Sequence, residues 1–289
     1  MSYRKILTVL TGGAGDRAAL DGAFALARPA GHVVGLVPNP DPRDAVPALG
    51  EGVSGALVEQ IMTMVEQESV AHTAKAQRAF DAAAAAAGAV PAEAAPGPGG
   101  LSCRFLEDIG DQEDVAVTQA RLADVTVMAQ VSEANGGEAL LMLEAILLDS
   151  ARPLLVVPPA FQAGASLGRR IAIAWNGSRE STQAVVQALP LLKAADSVHI
   201  IACQTAKTDG AVGRELADYL AWQGVHAQVR QPAANGQAVG AVLLATAAAV
   251  EADTLVLGGY GHSRLREMIL GGVTRHVLNN ATIPVLLAH

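Results

Sequence analysis

At 289 residues the chain is longer than one core of about 250 residues fills, so two domains of ordinary size are expected. Its composition, 51% hydrophobic and 17% charged with nine aromatic side chains, builds a core from Ala, Val, Leu and Ile, as parallel sheets under Ala-rich helices do. A net charge of -8 without a basic stripe excludes a nucleic-acid backbone as partner, and no apolar run reaches the ~18 residues that span a membrane.

Taken in order, the first strand is Lys5 to Leu10, ending in the turn Thr11-Gly12-Gly13 that opens a helix. A long, largely helical stretch covers Val53 to Gly88 and includes the run Ala82 to Ala87, which reads as helix because alanine has the best helix propensity. Pro91 to Gly100 reads as a Pro/Gly-rich surface loop before a strand at Leu101 to Leu106. Two further strands follow, within Ala123 to Met128 and Arg152 to Val157. Pro158 to Gly168 carries two prolines, two glycines and no apolar period, as a boundary does.

The pattern then repeats. Arg170-Ile171-Ala172-Ile173-Ala174-Trp175-Asn176-Gly177-Ser178 matches Lys5 to Gly13, Ala252 to Leu257 matches Ala123 to Met128, and Ile283 to Ala288 matches Arg152 to Val157. Strands are expected at Ile171–Asn176, Val198–Cys203, His226–Gln231, Thr254–Gly258 and Pro284–Ala288. Helical spacing fills Glu180–Lys193, Gly213–Gln223, Gln237–Glu251 and Arg264–Leu278. Alternating strands and helices imply right-handed crossovers and two tandem α/β domains, residues 1–160 and 168–289, each a five-stranded, mostly parallel sheet flanked by helices.

The most informative segment follows the apolar run Thr254 to Leu257. It reads Gly258-Gly259-Tyr260-Gly261, nine residues, then Gly271-Gly272-Val273-Thr274. Glycines let the backbone approach an anion closely, and the start of the next helix offers unpaired N–H groups and a positive dipole end, so the spacing suits a phosphate cradle. Asn176, Gly177 and Ser178 form the second wall of the same crevice, with N-capping an equal alternative for Ser178. Arg264 and Arg266 could add charge, and Tyr260 and His262 could stack on a ligand or line a solvated loop.

At these residues the chain resembles the universal stress protein family in a tandem form. The family's nucleotide motif, Gly-x2-Gly-x9-Gly-(Ser/Thr), is matched by Gly258, Gly261 and Gly271, with Gly272 where the family has a hydroxyl and Thr274 at another position used for phosphate contact. Asn176 stands where ATP-binding members usually carry Asp. The resemblance implies a Rossmann-like fold of the adenine nucleotide alpha hydrolase type and a cytoplasmic stress-response module. It also implies ATP, ADP or AMP as ligand, Mg accompanying ATP, and pairing of the two domains through Leu154–Val157 and Val285–Ala288, with a homodimer also compatible. A nucleotide-independent interaction protein with a lapsed site and a slow ATP-hydrolysing enzyme are the alternatives.

In the first copy the equivalent segment, Ala129 to Gly137, has lost the glycine spacing, and Gln130, Val131, Glu133 and Glu138 oppose phosphate, so that site is expected to be degenerate and empty. Thr11 to Asp16 loosely echoes the pyrophosphate loop of ATP-dependent amidating enzymes but lacks its last serine, and reads better as a turn. No catalytic residue can be named. The seven histidines show no metal-binding spacing, there is no Gly-x-Ser-x-Gly elbow, and Cys103 and Cys203, one per half, read as buried reduced thiols.

Overall fold

The computed structural model describes residues 3–45, 55–95, 99–131, 137–204, 212–259 and 272–289. The first half runs β1 (Lys5–Val9), α1 (Asp16–Ala27), β2 (His32–Asn39), a 3-10 turn at Pro42–Ala45, α2 (Gly55–Ala87), β3 (Val90–Pro91), β4 (Ser102–Ile109), α3 (Gln112–Arg121), β5 (Val125–Ala129), α4 (Gly137–Asp149) and β6 (Leu154–Val157). The second runs β7 (Arg170–Ala174), α5 (Arg179–Leu192), β8 (Ser197–Ile201), α6 (Val212–Trp222), β9 (Ala227–Arg230), α7 (Val239–Ala249), β10 (Thr254–Gly258), α8 (Gly272–Asn280) and β11 (Val285–Ala288).

All strands join one sheet of eleven, in the order β3-β4-β2-β1-β5-β6-β11-β10-β7-β8-β9. Leaving β3 aside, each half carries the sequence 3-2-1-4-5 counted from its own first strand, and every pairing within a half is parallel. Apolar runs such as Thr254-Leu255-Val256-Leu257 are buried on both faces because helices cover both sides, as parallel sheets require. The halves meet where β6 pairs antiparallel with β11, in the register Val156↔Val285, Leu155↔Leu286 and Leu154↔Leu287.

Alternation along these two strands feeds two cores. Leu155, Val157, Leu286 and Ala288 join residues of α1, α2, α5 and α6 on one face of the sheet. Leu154, Val156, Val285 and Leu287 join residues of α3, α4, α7 and α8 on the other. Each core therefore crosses from one half to the other. Polar contacts cross as well: the Tyr3 hydroxyl donates to the Gln187 carbonyl at 2.7 Å, and Gln130 Nε2 donates to the Leu278 carbonyl.

The expected elements are present, with bounds that shift by a residue or two at most ends and with larger differences at three places. The loop expected from Pro91 begins one residue later, because Val90 and Pro91 form a short edge strand. Val90 and Ala92 donate to the carbonyls of Leu101 and Cys103 on the neighbouring strand, so the missing N–H of Pro91 falls on the side away from the ladder, where proline is tolerated. The strand expected at Leu101–Leu106 extends to Ile109, in register with all of β2. The last helix runs to Asn280, and its expected start at Arg264 lies outside the described residues.

The connector, expected only as a boundary, has no regular element but is fastened to both halves. Phe161 is buried, the Ala163 N–H donates to Asp21, the Ser166 hydroxyl donates to Asp253, and the Gly168 N–H donates to Thr254 Oγ1. Asp21 and Asp253 are themselves largely buried, so each carboxylate is positioned to hold this segment down.

Because Leu286 is fully buried at the seam, Leu286→Ala is expected to lower the unfolding free energy by about 2–5 kcal/mol, the range of buried leucine truncations. A shift of the urea midpoint with unchanged slope checks this, and a midpoint equal to that of the parent chain contradicts it.

Candidate functional site

In an open α/β sheet, ligands sit beyond the carboxyl ends of the strands where the strand order reverses. In the second half that point lies between β7 and β10, which are paired up to Ala174↔Leu257. Beyond it the chain turns from β7 into α5 through Asn176, Gly177 and Ser178, and leaves β10 at Gly258.

Gly258 is a packing requirement before it is a ligand contact. A Cβ at this position would lie 2.5 Å from the Ser181 backbone nitrogen and 2.6 Å from the Glu180 carbonyl carbon, so only glycine lets the first turn of α5 close onto the end of β10. The three residues expected to form the second wall also have local roles. The Ser178 N–H donates to Asn176 Oδ1 at 3.0 Å in an Asx turn, Gly177 adopts φ +72°, and Ser178 Oγ accepts the Ser181 N–H at 3.2 Å as the N-cap of α5. Asn176 and Gly177 remain solvent-exposed. Since its Oδ1 holds the turn, Asn176 has its Nδ2 amide to offer a ligand.

On the far side of the crevice, Gly272 is the first residue of α8 and is exposed. A Cβ there would meet no atom within 4 Å. Packing among the described residues does not require this glycine. Val273 is half-buried, whereas Thr274 is only 5% exposed, which places its side chain in the packed layer of α8. Tyr260, Gly261 and Gly271, together with His262, Arg264 and Arg266, lie outside the described residues.

One participant had no sequence signal. The Gly259 N–H donates to the Ala288 carbonyl at 2.8 Å, and a Cβ on Gly259 would lie 2.9 Å from Leu147 Cδ2 of α4. The glycine pair leaving β10 thus packs against a helix of the other half, a contact that no local pattern encodes.

The first half shows why the same turn there is no anion cradle. Asp16, 4% exposed, accepts the Thr11 N–H at 3.0 Å and the Gly12 N–H at 2.8 Å, so the amides that would face a phosphate already hold a carboxylate. Burial pushes the Asp16 carboxyl upward from its usual range, and these backbone amides pull it back. Gly12, at φ +69°, lies under α2, with the His72 carbonyl 2.9 Å from where a Cβ would be. Ala129 and Gln130 replace Gly258 and Gly259, as the sequence indicates. A cavity of about 410 Å³ nevertheless opens at this end, between β1, β2 and β5, with Glu68, Glu113 and Glu138 in its lining. Three carboxylates make it a poor place for phosphate.

Among the described residues, no group of three or more His, Cys, Asp or Glu side chains could hold a metal ion. Both cysteines are buried thiols, and burial raises their pKa values above the ordinary range.

Residues 168–289 match the family model of the Universal stress protein family. No curated protein matches the chain. Among solved structures, a universal stress protein from Archaeoglobus fulgidus DSM 4304 shares the fold at a TM-score of 0.65 and 15% identity, over 98% of this chain and 97% of that one. A protein of Pseudomonas aeruginosa UCBPP-PA14, described as a candidate universal stress protein, aligns at a TM-score of 0.51 and 16% identity, over 99% of this chain and 93% of its own. At such identities the likeness shows the fold alone, and it extends along the whole chain.

Within residues 168–289, Gly258 and Gly272 are expected to respond oppositely to added volume. Gly258→Ala should destabilise by about 1–3 kcal/mol through overpacking against the α5 backbone, whereas Gly272→Ala should leave stability within about 0.5 kcal/mol. Thermal melts of the two variants decide the matter, and equal losses would contradict this account.

Proposed function

We propose that the chain is a cytoplasmic, adenine-nucleotide-binding stress-response module that takes ATP in its C-terminal domain and reports occupancy through altered contacts. It is composed of domains at residues 1–160 and 168–289, paired within one chain. The observation that carries this reading is Gly272, exposed as the first residue of α8, where a Cβ would meet no described atom within 4 Å, in one glycine pattern with Gly258 at the switch of strand order. The glycine spacing and the family resemblance support the same reading. The polyphosphate lies against the helix start and the amides of the glycine segment, Mg accompanies its oxygens, and Asn176 Nδ2 is offered to the adenine or ribose edge. No residue is assigned a catalytic role, and ADP or AMP occupies the same place with fewer contacts.

A second reading, a nucleotide-independent interaction protein, is favoured by the absent hydroxyl at Gly272 and by the engagement of Asn176 Oδ1 in its own turn. Calorimetry separates the two. Saturating Mg-ATP should give measurable heat and a higher melting temperature, and Gly272→Asp should abolish both while the unliganded protein melts as before, because the added carboxylate meets open space and repels phosphate. A chain indifferent to ATP, ADP and AMP would establish the second reading.

The missing hydroxyl makes a further expectation. Gly272→Ser restores a donor worth about 1.5–3 kcal/mol to a charged oxygen, and so should tighten ATP binding by roughly ten- to a hundredfold. Unchanged affinity in that variant would place the triphosphate away from the start of α8.

A further inference from the structure

A further cavity lies at the amino ends of the first half's strands, opposite that half's own carboxyl-end crevice. About 570 Å³ in volume, it opens where β1, β2 and β4 begin, and its lining includes Arg4, Lys5, His32, Arg104 and the single carboxylate of Glu93. In a chain of net charge -8, three permanent cations outnumber the carboxylate of Glu93 in the lining and that of Asp124 at the start of β1, a local reversal of sign. We infer that this cavity is a binding site for a small organic phosphate, held chiefly by Lys5 and Arg104.

The cations are arrayed on a rigid floor. The backbone N–H groups of Arg4 and Lys5 both donate to Asp124 Oδ2, at 2.6 and 3.0 Å, which fixes the start of β1. Arg4 Nη1 donates to the Ala30 carbonyl at 3.2 Å. His32 and Ser102 are opposite each other in the β2–β4 ladder, and His32 Nδ1 lies 2.9 Å from Ser102 Oγ, so one ring nitrogen is held while Nε2 faces other company. Two registers further along the same face, Val34 and Arg104 are also paired, and Leu106 follows, giving the cavity an apolar strip beside its charges.

Arg104 does have a partner, since its Nε lies 3.1 Å from Glu93 Oε2. That glutamate side chain is 81% exposed, so the pair is screened by solvent and readily exchanged for a better anion. A phosphate monoester suits the arrangement for three reasons. Its two charges match an ammonium and a guanidinium together, its oxygens accept the forked donors of arginine, and its carbon skeleton can lie on Val34 and Leu106. A polymer backbone would need a basic stripe continuing beyond the cavity, against the net charge of the chain.

His32 supplies the reporter. Burial first, then the charges of Lys5 and Arg104, lower its pKa, with Glu93 opposing. A bound dianion would reverse the sign of that surrounding field and raise it. The test is a pH titration of the His32 ring protons by NMR in the full chain, assigned with His32→Gln, using ribose 5-phosphate as probe. Ribose serves as neutral control and KCl matches ionic strength.

Ribose 5-phosphate should raise the His32 midpoint saturably. Lys5→Ala should weaken its apparent affinity at least tenfold, and the pair Lys5→Glu with Arg104→Glu should remove the effect. Should the glutamate pair not fold, Lys5→Met with Arg104→Gln provides the same comparison without repulsion. Because Gly272→Asp alters only the second half, the effect should persist in that variant, so failure here and failure of ATP binding are read separately. A shift no larger than that with KCl, a shift retained in the folded double variant, or capture of a single-stranded oligonucleotide but not ribose 5-phosphate would overturn the assignment.

Discussion

The arrangement of this molecule depends on one short strand pair. β6 and β11 offer four residues each, all buried, and their antiparallel ladder is the place where eleven strands become one sheet. Because alternate residues of both strands point into the two cores, the ladder also unites the helical layers on either face. Loss of this pairing would uncover Leu154 to Val157 and Val285 to Ala288 together, and would separate Gly259 from Leu147 beside the candidate crevice. Stability and site geometry thus share one cause.

Antiparallel pairing at the seam also sets direction. The strands of one half run opposite to those of the other, so the two switch points open towards opposite ends of the sheet. The duplicated crevices have followed different chemistry. In the second half, Gly258 permits close approach of α5, and Gly272 begins α8 with no described atom within 4 Å of where a Cβ would lie. In the first, Asp16 fills the amide cradle from within, α2 lies over Gly12, and three glutamates line the cavity that remains.

Much of this architecture could be read from residues alone because its signals are local. The apolar run Thr254 to Leu257 bounded by glycine gave a strand whose limits agree with the structure, and Ser178 followed by Glu180 and helical spacing placed the start of α5 to within a residue. Contacts between distant segments were not legible. Nothing around Asp21 or Asp253 announces that these carboxylates hold the connector, and nothing around Gly259 announces Leu147. The site was legible as a pattern but not in its division of labour. Gly258 reads as phosphate-facing by spacing, yet its backbone neighbours in α5 already demand glycine, and the Asx turn of Asn176 emerges only from atomic positions.

Joining two copies through β6 and β11 leaves only β3 and β9 as outer rims of the sheet. An uncovered rim invites another chain to extend the ladder, the usual start of fibrous self-association. At one rim only two residues are available, and Pro91 contributes no donor. At the other, β9 is four residues long and displays the exposed side chains of Gln228 and Arg230. The apolar strands β6 and β11 thus meet as an interior join, and the borders that remain are too short and too polar to recruit a stranger.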